Sequence, residues 1–353
     1  MTEFTPSEPQ RFIQIDEDGY FKMEDLRVAD LGTGNAWLKS LNYDPRNSRV
    51  WTNMENQDVI VEAFDAPYVV LSISVLESGA WQATMPYSHT EIFSLESLTL
   101  DEWDRFHGVT ARGVPFVFSR VAQNMFFNSL DAFDDDSIEF DGQTYPVTPW
   151  LQTTTDSRAD WWSSFYQSGE MPWDLDGPHP SLARFVGTLK LLRSRILVLG
   201  CGLGHDAAWF ARAGHIVTAV DFSEDAIEKA KATYAGVPDL TFLKADALDF
   251  PVRFDQSFDI VFEHTLFCAI EPEKRSDLLK TWLRTLTDHG HLLAIFFASE
   301  KRKGPPFGGS EWELRSRLSK RFRTLYWQRL KDSKPARLGT ELIVYSQKLP
   351  TLR

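Results

Sequence analysis

The sequence predicts an α/β fold for residues 151–353, preceded by a smaller α+β or β-rich domain over residues 1–150. Apolar runs alternate with helix-like segments from residue 195 onward. Residues 1–155 carry 25 acidic and 9 Lys or Arg side chains, and the remaining residues carry 25 and 28, so the net charge changes from −16 to +3. Between the halves, Tyr145–Asp156 contains two prolines and a threonine run that suit an extended connector.

A strand, a glycine turn, a helix and a second strand follow one another over residues 195–221. An apolar run precedes Gly200, Gly202 and Gly204, and the next apolar run ends at Asp221, 21 residues after the first glycine. Glycines let backbone N–H groups approach a ligand at a helix N-terminus, and an acid at the end of the next strand accepts ribose hydroxyls. The pattern predicts a site for a nucleotide-type ligand.

The rest of the predicted sheet decides between two kinds of nucleotide-binding protein. Five further apolar runs are predicted as strands: 240–243, 257–262, 292–297, 323–327 and 341–346. The second of these delivers Glu263 and His264 to its carboxyl end, where open α/β sheets bind ligands. A dinucleotide oxidoreductase needs a second nucleotide-binding half, and the order of these strands does not supply one. That alternative is therefore disfavoured.

Three flanking segments carry a resemblance to a known family. They are Trp162–Asp174 (WSSFYQSGEMPWD), Glu263–Ala269 (EHTLFCA) and Gly304–Phe307 (GPPF). Together with the glycine turn they resemble the thiopurine S-methyltransferase superfamily, with its halide and thiol methyltransferase branch, over about residues 156–349. The resemblance implies a class I methyltransferase fold, a Rossmann-like seven-stranded sheet with one reversed edge strand, and S-adenosyl-L-methionine as the cofactor.

The resemblance also implies which residues contact the cofactor. The contacts fall on an N-terminal aromatic lid, the glycine turn and the ends of the second, third and fourth strands. The residues are Trp162, Tyr166, Trp173, Gly200, Cys201, Asp221, Phe222, Asp246 and Ala247. The glycine turn itself adds Gly202 and Gly204, and Glu263, the neighbour of His264 at a strand end, is a candidate contact for the amino acid part of the cofactor. His264 stands where mammalian thiopurine enzymes carry an arginine that faces the substrate. This difference argues against a carboxylated, thiopurine-like substrate.

The chemistry of the cofactor supports the aromatic lid, which consists of Trp162, Tyr166 and Trp173. Aromatic faces stabilise a sulfonium cation by roughly 0.5–2 kcal/mol when water is excluded. An alternative remains, because Trp162 and Tyr166 are spaced i, i+4 and would also suit an amphipathic helix that packs on a core.

His264 is the candidate catalytic residue, because imidazole changes charge near neutral pH and can remove the proton of a thiol. The alternatives are a positioning role and a structural role. Methyl transfer by in-line displacement otherwise depends on positioning and on desolvation of the nucleophile. Phe267, Phe297 and Phe307 are candidates for an apolar acceptor pocket.

The N-terminal half carries less information. Residues 58–64, 68–76 and 80–85 are predicted as strands, and residues 98–106 and 120–133 as helices. Residues 29–36 contain a second glycine cluster, but charges disrupt the apolar strand that a ligand loop would need, so this cluster is assigned to a turn.

Composition excludes several classes of protein. Cys201 and Cys268 are the two cysteines of the chain, so a secreted disulfide framework is not expected. The first ten residues have no signal-peptide pattern and the apolar runs are too short to span a bilayer, so we expect a cytoplasmic protein without a membrane partner. The acidic N-terminal half argues against a nucleic-acid partner. The eight histidines show no paired ligand spacing, so no metal is expected.

These observations predict a methyltransferase that moves a methyl group from S-adenosyl-L-methionine to a small-molecule acceptor, a soft nucleophile such as a thiol or a halide-like anion. A protein partner of the acidic N-terminal domain is left open. The alternative from another class is an interaction or sensor protein in which that domain binds a partner and the methyltransferase fold only binds the cofactor.

Overall fold

The computed structural model describes residues 4–5, 10–134, 136–153, 159–189 and 191–350. No helix in this part of the chain is long and apolar enough to cross a membrane.

The first half of the chain is rich in short strands. They are β1 (Phe12–Ile15), β2 (Phe21–Met23), β3 (Leu26–Arg27), β4 (Asn42–Asp44), β5 (Arg49–Met54), β6 (Gln57–Ala63), β7 (Tyr68–Val70), β8 (Ser72–Val75), β9 (Trp81–Thr84), β10 (Thr90–Phe93), β11 (Thr99–Leu100), β12 (Phe106–Val109), β13 (Pro115–Phe118), β14 (Ala132–Phe133), β15 (Ser137–Phe140), β16 (Gln143–Pro146), β17 (Thr148–Pro149) and β18 (Gln152–Thr153). The helices α1 (Leu31–Lys39) and α2 (Arg120–Phe127) lie among them. The expected β-rich region before the α/β fold is confirmed.

These strands form a six-stranded sheet in the order β3-β2-β1-β6-β5-β4 and a five-stranded sheet in the order β17-β11-β12-β13-β7. Two three-stranded sheets, β10-β9-β8 and β14-β15-β16, complete this half. One hydrophobic core, with large aromatic side chains such as Phe21, Trp81 and Phe116, lies between them.

Two local predictions for this half are wrong. Residues 98–106 form the hairpin of β11 and β12 rather than a helix, because the Asp101 carboxylate accepts hydrogen bonds from the backbone N–H groups of Trp103 and Arg105 and fixes a turn. The glycine cluster at 29–36 lies largely in α1 and not in a turn. Asp30 caps this helix, and Gly34 leaves room for the ring of Tyr87.

The second half alternates helices and strands. The elements are α3 (Ala159–Ser168), α4 (Ser181–Leu189), β19 (Arg195–Leu199), α5 (His205–Arg212), β20 (Ile216–Asp221), α6 (Glu224–Thr233), β21 (Leu240–Lys244), β22 (Phe258–His264), α7 (Arg275–Thr285), β23 (Leu286–Phe297), β24 (Lys303–Gly304), α8 (Glu311–Leu318), β25 (Phe322–Arg329) and β26 (Glu341–Lys348). Seven strands form one mixed sheet in the order β21-β20-β19-β22-β23-β26-β25. The predicted seven-stranded α/β sheet is confirmed.

The position of the reversed strand differs from the expectation. β26 runs antiparallel to β23 and to β25 and lies between them, so the edge strand is β25. The burial of the two strands explains this order. β26 is buried along most of its length, whereas most of β25 is exposed. A strand with apolar residues on both faces needs neighbours on both sides, and a polar strand tolerates the edge.

The two halves have separate hydrophobic cores but share an interface. The core of the first half is drawn from residues up to 147, and the two cores of the second half are drawn from residues 182–345. Across the interface, β18 pairs with β24, and the buried guanidinium of Arg329 donates to the backbone carbonyl of Ala63 at 2.8 Å. The connector expected over 145–156 thus forms strands up to residue 153, and its last three residues lie outside the described part.

Candidate active site

A cavity of about 710 Å³ opens at the carboxyl ends of β19, β20, β21 and β22. The segment that follows each of these strands lines the cavity. Helix α3 and the residues between 172 and 177 line the cavity from outside the sheet. This edge of an open α/β sheet is the expected place for a ligand. The topology therefore brings segments far apart in the sequence to one site.

The loop after β19 requires its glycines. Gly200, Gly202 and Gly204 have φ angles of 64°, 52° and 80°, a region that other residues rarely adopt. A Cβ on Gly200 would lie 2.9 Å from the side chain of Leu266, and one on Gly204 would lie 2.7 Å from the ring of Phe242. The loop thus presents bare backbone to the cavity and then begins α5 at its left-handed N-cap, Gly204.

Asp221 lies at the end of β20 with 7% of its surface exposed. One carboxylate oxygen accepts a hydrogen bond from the N–H of Gly202 at 2.9 Å, and the other accepts from the N–H of Ser223 at 2.9 Å. Burial raises the pKa of Asp221, and these backbone hydrogen bonds oppose that rise. Each oxygen keeps a second lone pair for a hydroxyl group, so this side chain braces the glycine loop and still offers acceptors to a ligand.

The aromatic lid forms one cluster over the cavity. The ring centroids of Trp162 and Trp173 lie 5.1 Å apart, and those of Tyr166 and Trp173 lie 5.9 Å apart, both edge to face. Helix α3 is held on α6 by a hydrogen bond of 2.8 Å between the hydroxyls of Ser163 and Ser223. The lid residues therefore pack on one another and line the cavity at the same time.

His264 ends β22 beside an acid that the sequence analysis did not identify. Its Nδ1 lies 2.7 Å from a carboxylate oxygen of Asp206, in the first turn of α5. Because a carboxylate can only accept, Nδ1 carries the proton and Nε2 keeps its lone pair in the neutral ring. Nε2 is buried and has no hydrogen-bond partner among the described residues.

Burial alone would lower the pKa of His264, but the charge and the hydrogen bond of Asp206, together with the charge of Glu341, raise it above its ordinary value. Burial would raise the pKa of Asp206, yet the nearby His264 holds it below its ordinary value. Both shifts favour an ion pair between the two side chains. The imidazole is thus basic, oriented and withdrawn from bulk water.

His179, His264 and Glu341 bring three ligand atoms within 4.8 Å of one another, which is close enough to consider a metal ion. The hydrogen bonds argue against one. The Nδ1 of His179 accepts from the N–H of Ser181 at 3.1 Å, so the proton of the neutral ring lies on Nε2, which is 3.0 Å from Glu341. A nitrogen that carries a proton offers no lone pair to a metal.

The cavity brings together eleven of the thirteen predicted site residues. They are Trp162, Tyr166, Trp173, Gly200, Cys201, Gly202, Asp221, Phe222, Asp246, Ala247 and His264. Gly204 does not line it and instead begins α5. Glu263 points to the opposite face of β22, where one carboxylate oxygen accepts from the N–H of Phe267 at 2.9 Å. Of the three phenylalanines proposed for an acceptor pocket, Phe297 lines the cavity, whereas Phe267 and Phe307 are buried away from it.

Sequence comparison identifies the family. The profile described as thiopurine S-methyltransferase matches residues 157–341, more than half of the chain. The chain belongs to the thiopurine S-methyltransferase family. It is therefore a methyltransferase that depends on S-adenosyl-L-methionine, and the dinucleotide oxidoreductase alternative is wrong.

Among relatives of this methyltransferase, thiocyanate methyltransferase 1 of Brassica oleracea is 35% identical over 150 residues, which are 41% of this chain and 66% of that protein. The chain thus spans just under two thirds of that relative. Thiocyanate methyltransferase 1 of Arabidopsis thaliana is 34% identical over 165 residues, 46% of this chain and 71% of that protein. A probable thiol methyltransferase 2 of the same plant is 30% identical over 43% of this chain and 68% of that protein.

Among solved structures, the 1,6-didemethyltoxoflavin N1-methyltransferase of Burkholderia thailandensis is 19% identical. The match covers 63% of this chain and 99% of that one, with a TM-score of 0.48.

The cavity of the methyltransferase fits its cofactor. The bare backbone of the glycine loop, the spare acceptors of Asp221 and the aromatic lid are groups that suit an amino acid carboxylate, a ribose and a sulfonium, respectively. We note that Asp206, His179 and Glu341 had no local sequence signal. In the sequence, Asp206 is an ordinary acidic residue in the first turn of a helix. His179 and Glu341 lie near His264 only in the folded chain.

Proposed function

We propose that this methyltransferase acts on a small soft nucleophile, either a thiol or an anion such as thiocyanate or a halide. The observation that carries the proposal is the apolar lining supplied by the segments after β22 and β23, which include Leu266, Ile270, Phe297, Pro305 and Pro306. Soft, weakly hydrated nucleophiles lose little hydration free energy in such surroundings and react faster when water is excluded. The similarity to thiocyanate and thiol methyltransferases supports the same acceptor class.

Bound S-adenosyl-L-methionine supplies an electrophilic methyl group on a positively charged sulfur. In our proposal the chain performs three tasks around it. Asp221 holds the ribose and keeps the glycine loop in place, the aromatic lid excludes water and stabilises the positive charge, and the apolar lining positions the acceptor. Phe222, Asp246 and Ala247 border the adenine.

His264 and Asp206 extend the proposal to thiols. A thiol must lose its proton before or during attack, whereas thiocyanate and halides have none to lose. In the neutral ring, which forms above the raised pKa of His264, Nε2 accepts this proton, and Asp206 keeps the ring in the tautomer that makes Nε2 available. The thiolate then forms the new carbon–sulfur bond as the bond between methyl and sulfonium breaks. Asp206 is a positioning residue in this scheme, because it acts through His264.

The test is an acceptor screen with the purified full chain. Iodide, thiocyanate, hydrosulfide and an aromatic thiol are each incubated with S-adenosyl-L-methionine, and methylated products are measured in the headspace or by mass spectrometry beside S-adenosylhomocysteine. We expect equal amounts of methylated acceptor and S-adenosylhomocysteine with at least one of these nucleophiles. A protein that binds S-adenosylhomocysteine yet methylates none of them contradicts the proposed acceptor class. A reaction without acceptor measures spontaneous breakdown of the cofactor.

A further inference from the structure

A second cavity, of about 1110 Å³, lies between the two halves of the chain. The hairpin of β11 and β12 and the segment Pro149–Gln152 line it from the first half. The segment Ser299–Lys301 and the start of α8 line it from the second half. Its volume is slightly above the range of about 300–1,000 Å³ that is usual for small-molecule sites. The methyl transfer proposed for the first cavity does not use this second cavity.

The lining of this interdomain cavity is strongly acidic. Eight carboxylate side chains of the described residues line it, together with the cationic side chains Arg105 and Lys301. Arg105 is already engaged, because its guanidinium pairs with Asp65 at 2.5 Å and with Asp101 at 2.8 Å. Three further carboxylates are engaged as well: His107 lies 3.0 Å from Asp101, Arg317 pairs with Glu102 and Glu313, and Arg275 pairs with Glu313. The lining carboxylates without an ion pair among the described residues are Asp104, Asp136, Glu273 and Glu300, so the field inside still favours a cation.

Two carboxylates of the cavity are not fully compensated. Glu300 is 8% exposed and Asp65 is 7% exposed, and each has one buried oxygen without a hydrogen-bond partner among the described residues. Burial, and then the charge of Asp65, raise the pKa of Glu300 well above its ordinary value. A buried carboxyl with an unmade hydrogen bond costs stability, so its presence is expected where a ligand completes the site.

The surroundings favour an organic cation over a bare metal ion. Among the described residues, the group of three ligand atoms close enough for a metal is that of His179, His264 and Glu341, and none of these residues lines this cavity. Aromatic side chains border the acids instead. Trp103 lines the cavity, and Trp150 lies against the ring of His107 with centroids 4.5 Å apart. An ammonium group with methylene carbons suits carboxylates set among aromatic surfaces.

We propose that the interdomain cavity is a binding site for a small aliphatic amine or diamine, whose ammonium N–H groups donate to Glu300 and Asp65. A charged hydrogen bond to each carboxylate satisfies the unpaired oxygens and restores the ionised form of Glu300. The ligand contacts both halves of the chain, so its binding stabilises the interface between them.

The experiment titrates putrescine, 1,4-diaminobutane, into the full-length protein by calorimetry at constant ionic strength. We expect saturable binding at one site per chain and a rise in melting temperature with putrescine concentration. Glu300→Gln should weaken this binding by about tenfold or more, because the variant loses a charged acceptor. Glu55→Gln is the matched control, since its side chain is 85% exposed and lies outside the cavity, and it should bind putrescine like the wild type.

Two further measurements separate loss of the charged acceptor from loss of stability and from binding without charge. The melting temperature of Glu300→Gln without ligand should equal or exceed that of the wild type, because the amide removes a buried ionisable group. 1,4-Butanediol has a similar length without charge and should not bind. Equal putrescine affinity in Glu300→Gln and the wild type overturns the proposal, as does equal binding of butanediol. Saturable binding of Mg²⁺ without any binding of putrescine also overturns it.

Discussion

At the scale of single residues, the proposed base role of His264 separates a thiol, which must lose a proton, from thiocyanate or a halide, which have none to lose. The hydrogen bond of 2.7 Å between His264 and Asp206 fixes the tautomer, and the buried Nε2 of His264 has no other partner among the described residues. Because its pKa is raised, the basic form of the ring is populated only above a pH higher than usual for histidine. Wild-type turnover of a thiol should therefore rise with pH through that pKa.

We predict that His264→Asn lowers turnover of a thiol but leaves turnover of iodide nearly unchanged. The loss should be largest above the raised pKa of His264 and below the thiol pKa of about 8.5, where the ring is basic and thiolate is still scarce. It should shrink at lower pH, where the ring is protonated, and at higher pH, where thiolate forms without a base. The measurement is a pair of pH–rate profiles, with one thiol and with iodide. Asp206→Asn should reproduce the thiol-specific loss. If both acceptors lose activity equally at every pH, His264 is a positioning or structural residue and not a base.

Glu263 and His264 are adjacent in β22 but lie in different surroundings, because successive side chains of a strand point to opposite faces. Glu263 lies 1% exposed on the face of β22 opposite to His264, and burial raises its pKa to about 7 although Phe267 donates to it. A carboxyl with a raised pKa stabilises the fold below its unfolded pKa. This contribution is lost as the pH rises through the folded pKa.

We therefore predict that Glu263→Gln keeps the hydrogen bond from Phe267 and becomes more stable relative to the wild type as the pH rises from about 4.5 to about 7. The difference in unfolding free energy should change by about 3 kcal/mol over this range and stay constant above it. Urea unfolding at a series of pH values measures it. A difference that does not change with pH would show that Glu263 titrates alike in the folded and unfolded chain.

At the scale of elements, the second half of the chain follows its sequence closely. The apolar runs from Ile196 to Ser346 became the seven strands of the sheet, because parallel strands buried on both faces need continuous apolar segments. The position of β26 inside the sheet was not predictable from the order of the runs alone. It depends on the exposure of β25, whose predicted run also contains the polar residues Arg323 and Thr324.

In the first half of the chain, hydrogen bonds of single side chains decided local structure that the pattern of apolar residues did not predict. The prediction of a helix over 98–106 failed because Asp101 fixes a tight turn, and no periodicity shows that. The predicted cofactor residues were recognisable because they are adjacent to strand ends in the sequence. Asp206 and His179 were not, since their contacts with His264 connect segments 58 and 85 positions away. Only the folded chain brings such groups together.

Substitutions in the aromatic lid test whether helix α3 and Trp173 bind the cofactor or only pack on the core. We predict that Trp162→Ala and Trp173→Ala each weaken binding of S-adenosylhomocysteine, because both side chains line the first cavity and pack edge to face on one another. Trp209→Ala is the matched control. Trp209 lies in α5, packs against the hydrophobic core and does not line the cavity, so this variant should lose stability and keep its affinity.

Thermal melts and calorimetric titrations on the same samples separate the two effects. If the lid variants lose only stability while each folded molecule binds normally, helix α3 is a packing element and the alternative of an amphipathic core helix is correct.

At the scale of the whole molecule, the two halves of the chain have separate hydrophobic cores and share one interface. The hydrophobic cores of the two halves share no buried residue, and the cavity predicted to hold the cofactor is lined by residues 159–341. The interface between the halves includes polar contacts, the β18–β24 strand pair and aromatic contacts such as that between Trp103 and Trp312, whose ring centroids lie 5.1 Å apart. The Tyr43 hydroxyl donates to the carbonyl of Glu300 at 2.6 Å, and the guanidinium of Arg105 lies 3.2 Å from the ring centroid of Trp312.

We predict that residues 156–353 fold and bind S-adenosylhomocysteine without the first half, but melt at a lower temperature than the full chain. Removal of the first half leaves β24 without its partner β18 and takes the Ala63 carbonyl from the buried Arg329. An unpaired buried donor costs about 1–3 kcal/mol. Calorimetry with S-adenosylhomocysteine and thermal melts of several truncations with shifted boundaries measure both quantities. If every truncation is insoluble or fails to bind, the two halves form one cooperative unit, because separate hydrophobic cores would then not suffice for independent folding.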